Sequence, residues 1–110
     1  MRKQLVIEHN GNTYTLEFTR DSVRQMEKRG FKVSDLTEFP MTYLPDLFAG
    51  AFLAHHRFNV KQKEIDEIYE AIPNKEEFVG KLAEMYSDPI AELFDEPTAD
   101  EGNATWTANW

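Results

Sequence analysis

Two adjacent histidines, His55 and His56, are the side chains in this sequence best suited to bind a metal ion or carry a proton. Adjacent residues of a helix point about 100° apart, so the two rings cannot bind one ion together. No carboxylate or third histidine stands three or four residues from either ring. We therefore expect no metal site, with His55 buried and hydrogen-bonded on the core side of a helix and His56 on its polar side.

Pairs of carboxylates are the other residues whose spacing could support a reaction, as general acid and general base. The pairs are Glu64 with Glu67 and Glu76 with Glu77. Such a pair needs an enclosed cleft that shifts its pKa values, whereas the sequence periodicity places both pairs on solvent-facing sides of helices. The sequence also lacks cysteine, a phosphate-binding glycine loop and a nucleophile motif. It predicts no catalytic residue, no cofactor and no enzymatic activity.

Two tryptophans, Trp106 and Trp110, stand in an acidic segment that is too short to bury them. Residues 91–110 contain five carboxylates and no lysine or arginine. Such a composition predicts a single domain over residues 1–95 followed by a flexible acidic tail over residues 96–110. Because tryptophan is enriched in binding hot spots, we expect the two indoles to bind a partner or a sister protomer. The alternative is that they fold back onto their own domain.

Charge is divided unevenly along the sequence. Residues 1–63 contain ten Lys or Arg and seven Asp or Glu, whereas residues 64–110 contain two and thirteen, a net charge of −11. Contacts to phosphate require cations, so the sequence predicts no nucleic-acid ligand. The apolar runs are far shorter than a membrane span, and the first residues do not form a signal sequence. We expect a cytoplasmic protein that does not bind membranes.

The pair Asn10-Gly11 between alternating segments predicts a β-hairpin with a two-residue type I′ turn. This turn pairs Leu5 with Leu16 and Ile7 with Tyr14, so one face of the hairpin is apolar. Two strands alone are marginally stable, and the hairpin must therefore pack on helices or recruit another strand.

The next segments predict a short helix and a possible third strand. Thr19 or Asp21 can cap a helix that runs to about Arg29, and Phe31–Val33 reads as extended. After a brief turn, Thr42 is a suitable N-cap for a central helix over residues 43–58. That helix is apolar nearly all the way round.

Two further helices follow, over residues 61–72 and from about residue 75 onward. Asn74 and Glu77 have the spacing of a capping box for the second of these. An interior proline costs about 3 kcal/mol, so we expect Pro89 to end this helix and Asp88 to cap another. The fold class is therefore α+β: an N-terminal β-hairpin packed on a bundle of about four to five helices, with a disordered acidic C-terminal tail.

Several stretches of the sequence are similar to one known family: residues 14–20, 26–31, 47–56, 73–77, 82–86 and 102–106. Together they resemble a family of short proteins encoded in tailed phages and prophages of Gram-positive bacteria. The size and acidity of that family are similar to those of phage tail assembly chaperones. The resemblance implies a protein that binds the tape measure protein and recruits tail tube subunits, and it carries over no catalytic motif. Independently of it, the unprotected strand edges of the hairpin predict a homo-oligomer.

A chaperone for a tape measure protein needs a groove for amphipathic helices. We expect that helix to meet the chain near Leu47 and Phe52, or near Leu93 and Phe94. Trp106 and Trp110 would link neighbours or engage the tube protein. The alternative function is an acidic phage-encoded binding module that inhibits or decoys a host protein.

Overall fold

A computed structural model of the chain describes residues 3–95 and 104–110. It contains an N-terminal two-stranded antiparallel sheet and five α-helices, so the predicted α+β class is confirmed. The elements are β1 (Leu5–His9), β2 (Asn12–Leu16), α1 (Arg20–Lys28), α2 (Pro40–Gly50), α3 (Leu53–His56), α4 (Gln62–Ala71) and α5 (Lys75–Glu92).

The hairpin has the predicted turn and register. Asn10 and Gly11 both have positive φ, 51° and 80°, as a type I′ turn requires. Leu5 pairs with Leu16 and Ile7 with Tyr14. The inner face of β2 is buried, whereas the outward side chains of β1 are exposed, so one face of the hairpin packs on the helices.

Helix α1 begins at the predicted cap. Thr19 Oγ1 accepts a hydrogen bond from the Ser22 N–H at 3.0 Å, and Ser22 Oγ accepts one from the Thr19 N–H at 2.9 Å. These bonds satisfy backbone donors that the first turn of a helix leaves unpaired. After α1, Phe31 is buried, but Val33–Asp35 form a 3-10 turn, and residues 3–95 contain no third strand.

The predicted central helix over residues 43–58 is two helices in the structure. Helix α2 ends at Gly50, and the short α3 begins at Leu53. The interruption has a tertiary cause, because the Ala51 carbonyl accepts the Glu17 N–H, just beyond β2, at 3.1 Å. In a continuous helix that carbonyl would accept from the residue four positions later.

The start of α2 also differs from the prediction. Phe39 is the N-cap residue and Pro40 takes the first helical position, so Thr42 lies inside the helix. Proline suits this position because its missing N–H would have no partner in the helix. At the other end of α2, a Cβ on Gly50 would lie 2.4 Å from Met26 Sδ, so glycine allows α1 and α2 to approach closely.

Helix α4 is close to its predicted bounds, and α5 begins at Lys75 as predicted, but the cap and the end of α5 differ from the prediction. The Asn74 side chain makes no cap hydrogen bond, so the predicted capping box is wrong. Helix α5 also continues through Pro89 to Glu92, and the predicted break is wrong. Asp88 does not cap a helix; its carboxylate accepts hydrogen bonds from the Lys3 N–H and Nζ at 3.1 and 3.0 Å. Burial of the Pro89 ring offsets part of the cost of the proline.

The core lies between the hairpin and the helices and is rich in aromatic rings. Phe48 of α2 is at its centre, with edge-to-face contacts to Phe52, Tyr69 and Phe78 at centroid distances of 5.1–5.7 Å. Such pairs stabilise a core beyond the area they bury. Over the described residues, no helix combines the length and apolarity needed to cross a membrane.

Candidate partner-binding surfaces

The two tail indoles lie at the surface. Trp106 is 85% exposed and Trp110 is fully exposed, in a segment, residues 104–110, without regular secondary structure. Both side chains are therefore placed where a partner could contact them. The predicted flexible tail also includes residues 96–103, which lie outside the described residues.

The other three predicted partner-binding residues divide into two groups. Leu93 and Phe94, which follow α5, are 55% and 80% exposed, so they form an apolar surface together with Ile90. Phe52 is only 2% exposed and packs edge-to-face against Phe48 and Tyr14. The prediction that Phe52 binds a partner is corrected here, because its ring is part of the core.

The two histidines have exchanged their expected places. His55, predicted to be on the core side, has a side chain that is 39% exposed, and its Nε2 lies 2.7 Å from Glu17 Oε1. His56, predicted to be on the polar side, is half-buried and packs against Tyr14 and Phe52. The short α3 begins as a separate helix after Phe52. Both histidine rings therefore point in directions different from those they would have in one continuous helix.

His56 is held in its neutral form by its surroundings. Burial lowers its pKa below the ordinary value of 6.5, and repulsion from His55 acts in the same direction. The Thr15 N–H donates to His56 Nε2 at 3.0 Å, and only an unprotonated nitrogen can accept that bond. His56 therefore joins the hairpin to α3 as a neutral acceptor.

A second polar link joins the hairpin to α4. The Tyr14 hydroxyl donates to Glu64 Oε2 at 2.5 Å, and this bond raises the pKa of Tyr14, with burial adding to the effect. Glu17, which is 7% exposed, accepts a bond from Gln4 Nε2 at 2.9 Å in addition to its contact with His55. These polar groups are used in holding β-strands to helices.

The polar groups do not form a metal site. Nowhere in residues 3–95 or 104–110 do three or more His, Asp or Glu side chains stand close enough together to hold an ion. Ser22 borders a cavity of about 410 Å³ that His55 also lines, but its hydroxyl is bonded to the Thr19 backbone in the helix cap. The residues of this cavity thus offer no activated nucleophile.

The first apolar surface is a groove between α2 and α4, which we call the α2–α4 groove. It encloses about 500 Å³, and its edge on α4 carries the carboxylates of Asp66 and Glu70. Met41 at its mouth is 89% exposed, and Phe39 just before it is 55% exposed. The apolar lining consists of Pro40, Met41, Leu44, Pro45, Phe48 and Tyr69.

The second surface is a cleft where α1, α2, α3 and α4 meet, which we call the basic cleft. It encloses about 370 Å³ and carries Arg29 and Arg57 on its rim, with Asp46 as the carboxylate. Arg57 Nη2 also lies 3.4 Å from Asp21 Oδ2, in a pair exposed to solvent. The apolar floor is formed by Met26, Phe31, Ala49, Leu53, Val60 and Ile65.

Comparison with known protein families assigns the chain to a family. All of its residues, 1–110, match the family described as "Domain of unknown function (DUF5055)". The chain belongs to the DUF5055 family. No curated protein and no solved structure matches it. The family description of DUF5055 names no activity or partner, so a functional proposal for this member depends on its surfaces.

The sequence prediction missed both surfaces of this DUF5055 protein. The α2–α4 groove depends on α2 starting at Pro40, whereas the prediction ended a turn at Pro40 and began the helix only after a cap at Thr42. A local signal was present, because Phe39-Pro40-Met41 places a proline suited to the first helical position between two apolar side chains. The basic cleft had no such signal, since Arg29 and Arg57 are 28 positions apart in sequence and meet only in the fold.

Proposed function

We propose that this DUF5055 protein is a phage tail assembly chaperone and not an enzyme, and that it binds an amphipathic helix of a tape measure protein in the α2–α4 groove. The observation that carries the proposal is the groove itself, with an apolar floor, an acidic edge and an exposed Met41. The sequence resemblance to short proteins of tailed phages supports the same function.

The shape of the groove suits a helix. Pro40, Leu44 and Phe48 stand four residues apart on α2 and form one stripe, and Tyr69 of α4 lies opposite. A partner helix with apolar residues at positions i, i+3 or i+4, and i+7 would lay a matching stripe between them. A tape measure protein, as a long helix with apolar stripes, offers many such sites along its length.

Charge defines the chemistry of that helix further. Asp66 and Glu70 stand on the α4 edge of the groove, in the part of the sequence that carries a net charge of −11. Lysine or arginine beside the apolar stripe of the partner would complement them and accelerate association. The preferred ligand is therefore a helix with an apolar stripe and basic flanks.

A second partner would use a different surface, at the end of α5. Leu93 and Phe94 remain exposed at the end of α5. We assign them to contacts with tail tube subunits, so that one chaperone holds the tape measure helix in the groove and a tube subunit at α5. The apolar side chains at this end do not line the groove.

The experiment replaces Met41 with glutamate and measures binding to the tape measure protein of the same phage by co-purification and calorimetry. Met41→Glu places a charge at the mouth of the groove, and we expect affinity to fall by about tenfold or more, equivalent to about 1.4 kcal/mol. Because Met41 is 89% exposed, the thermal midpoint should stay the same within error.

Val6→Glu is the matched control, since Val6 is 63% exposed on the outer face of the hairpin, away from the groove. It introduces the same charge and should leave binding intact. Unchanged affinity of Met41→Glu, or an equal loss in Val6→Glu, would contradict the proposal.

One observation favours the second candidate, an acidic module that inhibits or decoys a host protein. The carboxylates of Glu67, Glu76 and Glu77 are all exposed on α4 and α5. An electrostatic decoy would lose its host target when Glu76 and Glu77 are both changed to lysine and would tolerate Met41→Glu. A chaperone that uses the groove would show the opposite pattern.

A further inference from the structure

We propose that the basic cleft of one chain binds the tryptophan-bearing segment of a second copy, residues 104–110 with Trp106 and Trp110, and that the chain assembles head to tail through this contact. The inference goes beyond the proposed function, because it concerns a different cavity and a different ligand. It follows from the shape of the cleft, its charge and the exposure of the two indoles.

The floor of the basic cleft is apolar and well supported. Met26 of α1 and Ile65 of α4 are 4% and 7% exposed, and Leu53 and Val60 complete the surface between them. The enclosed volume of about 370 Å³ lies within the range of about 300–1,000 Å³ that is typical of sites for small organic ligands. An indole ring fits within such a volume, with its flat face on the apolar floor.

The rim supplies groups that recognise an indole preceded by acidic residues. Arg29 and Arg57 are both exposed, and a guanidinium stacks favourably on the face of an indole. The pairing of Arg57 with Asp21 is long, at 3.4 Å, and solvent-exposed, and such pairs contribute little. Arg57 can therefore turn toward an incoming ring at little cost.

Charge next to the tryptophan segment indicates which cavity accepts it. Residues 104–110 contain no Asp or Glu, but the residues before them, 91–103, contain five carboxylates and no lysine or arginine. The α2–α4 groove presents Asp66 and Glu70 and would repel such a segment, whereas the basic cleft presents two arginines against one carboxylate, Asp46. The two cavities thus select ligands of opposite charge.

The exposure of the indoles indicates that the ligand comes from a second copy. Within the described part of a single chain, Trp106 is 85% exposed and Trp110 fully exposed, so their apolar area is left uncovered. A tail that enters a neighbouring cleft buries that area while leaving its own cleft open for a third chain. Such a contact joins two different surfaces and extends into a ring or an open filament.

The test uses two complementary variants of the full chain, studied by sedimentation velocity over a wide concentration range. The tail variant is Trp106→Ala with Trp110→Ala, and the cleft variant is Arg29→Glu with Arg57→Glu. We expect the wild-type chain to assemble with increasing concentration and each variant alone to associate at least tenfold more weakly. Added salt should weaken assembly of the wild type.

Mixing the two variants is the most specific test of the head-to-tail contact. The tail variant keeps an intact cleft and the cleft variant keeps an intact tail, so an equimolar mixture should form a one-to-one dimer and no larger species. The matched control is Arg20→Glu with Arg24→Glu, which makes the same charge change on exposed positions of α1 outside the cleft. This control should assemble with the wild-type concentration dependence.

Several outcomes would overturn the proposal: a wild-type chain that stays monomeric at high micromolar concentration, variants that assemble like the wild type, or a mixture that forms no dimer. A monomer whose tryptophan emission is blue-shifted at every concentration would place the indoles on their own domain instead. If the cleft variant does not fold by circular dichroism, Arg29→Gln with Arg57→Gln replaces it. Met41→Glu should assemble normally, so failure of the proposed chaperone function would be seen separately.

Discussion

At the scale of single residues, the side chains that could have taken part in a reaction instead join the hairpin to the helices. His56 accepts the Thr15 N–H, Tyr14 donates to Glu64, and Glu17 bonds Gln4 and His55. The bonds to His56, Glu64 and His55 connect the hairpin region to helices that are distant in sequence, whereas the Gln4–Glu17 bond joins the two ends of the hairpin. Polar groups are costly to bury when one partner is lost, so each bond to a helix fixes how the hairpin sits on the helices.

The neutral state of His56 makes the fold sensitive to acid. Because its pKa is lowered in the folded chain, the unfolded chain binds the proton at a higher pH than the folded chain does. The free energy of unfolding should therefore fall as the pH drops below the ordinary value of 6.5. His56→Gln keeps an acceptor for the Thr15 N–H but cannot titrate, so urea unfolding should show a smaller loss between neutral and mildly acidic pH.

His9→Gln is the matched control for this prediction. It removes an imidazole ring that makes no hydrogen bond in the described part of the chain, so it should keep the wild-type slope of stability against pH. A wild-type slope in His56→Gln would contradict the assignment of His56 as the acid-sensitive link.

The places of the two histidines show what the sequence could predict at this scale. Helical periodicity correctly indicated that one ring faces inward and the other outward. The prediction placed the wrong ring inward because it assumed one continuous helix. The turn at Ala51–Phe52 changes the directions in which the following side chains point. The polar partners could not be predicted, since Thr15 and Glu17 lie about 40 positions away from the histidines.

At the scale of elements, two helical glycines should respond oppositely to alanine. Gly80 lies in the exposed interior of α5, with no atom within 4 Å of an added Cβ, so Gly80→Ala should raise the free energy of unfolding by about 0.5–1 kcal/mol. At Gly50 the added Cβ would meet Met26 Cε and Sδ at 2.4 Å. Gly50→Ala should gain nothing or lose stability in the same urea titration, and an equal gain at both sites would contradict the close packing of α1 on α2.

The five predicted partner-binding residues should also separate by their effect on stability. Phe52→Ala removes a core ring and should lower the free energy of unfolding by about 3–5 kcal/mol. Leu93→Ala changes a side chain that is 55% exposed and should stay within about 0.5 kcal/mol of the wild type. Thermal and urea unfolding distinguish the two, and a stable Phe52→Ala variant would return Phe52 to the candidate binding residues.

Which elements could be predicted depends on where their determinants lie. The hairpin and α1 were predicted because Asn10-Gly11 and the Thr19 cap act within a few residues. The break after α2 and the continuation of α5 through Pro89 were not predicted, because both depend on tertiary contacts. The Ala51 carbonyl bonds the Glu17 N–H, and the Asp88 carboxylate bonds Lys3 from the other end of the sequence.

At the scale of the whole molecule, charge and apolar cavities together determine what each surface can bind. The α2–α4 groove has an acidic edge and the basic cleft has an arginine rim. The sequence predicted the uneven charge and the exposed tryptophans, because both follow from composition. It did not predict either cavity, because their lining residues come from separate helices.

The exposure of both tryptophans gives a prediction for unfolding of the dilute monomer. Trp106 and Trp110 are the two tryptophans of the chain, and both are at the surface. The emission maximum should therefore stay nearly constant through a urea transition that far-ultraviolet circular dichroism records as cooperative loss of helix. A coincident red shift would show that the indoles leave a folded environment, contrary to their placement here.

The hydrogen bond from the Glu17 N–H to the Ala51 carbonyl also bears on the order of folding. The hairpin can close within its own few residues, whereas this bond requires a chain segment 34 positions later to be in place. Amide hydrogen exchange at Glu17 should therefore report docking of the hairpin on the helices. The turn amides can open by local fraying, but the Glu17 amide should exchange with deuterium only when the hairpin separates from the helices or the whole domain unfolds.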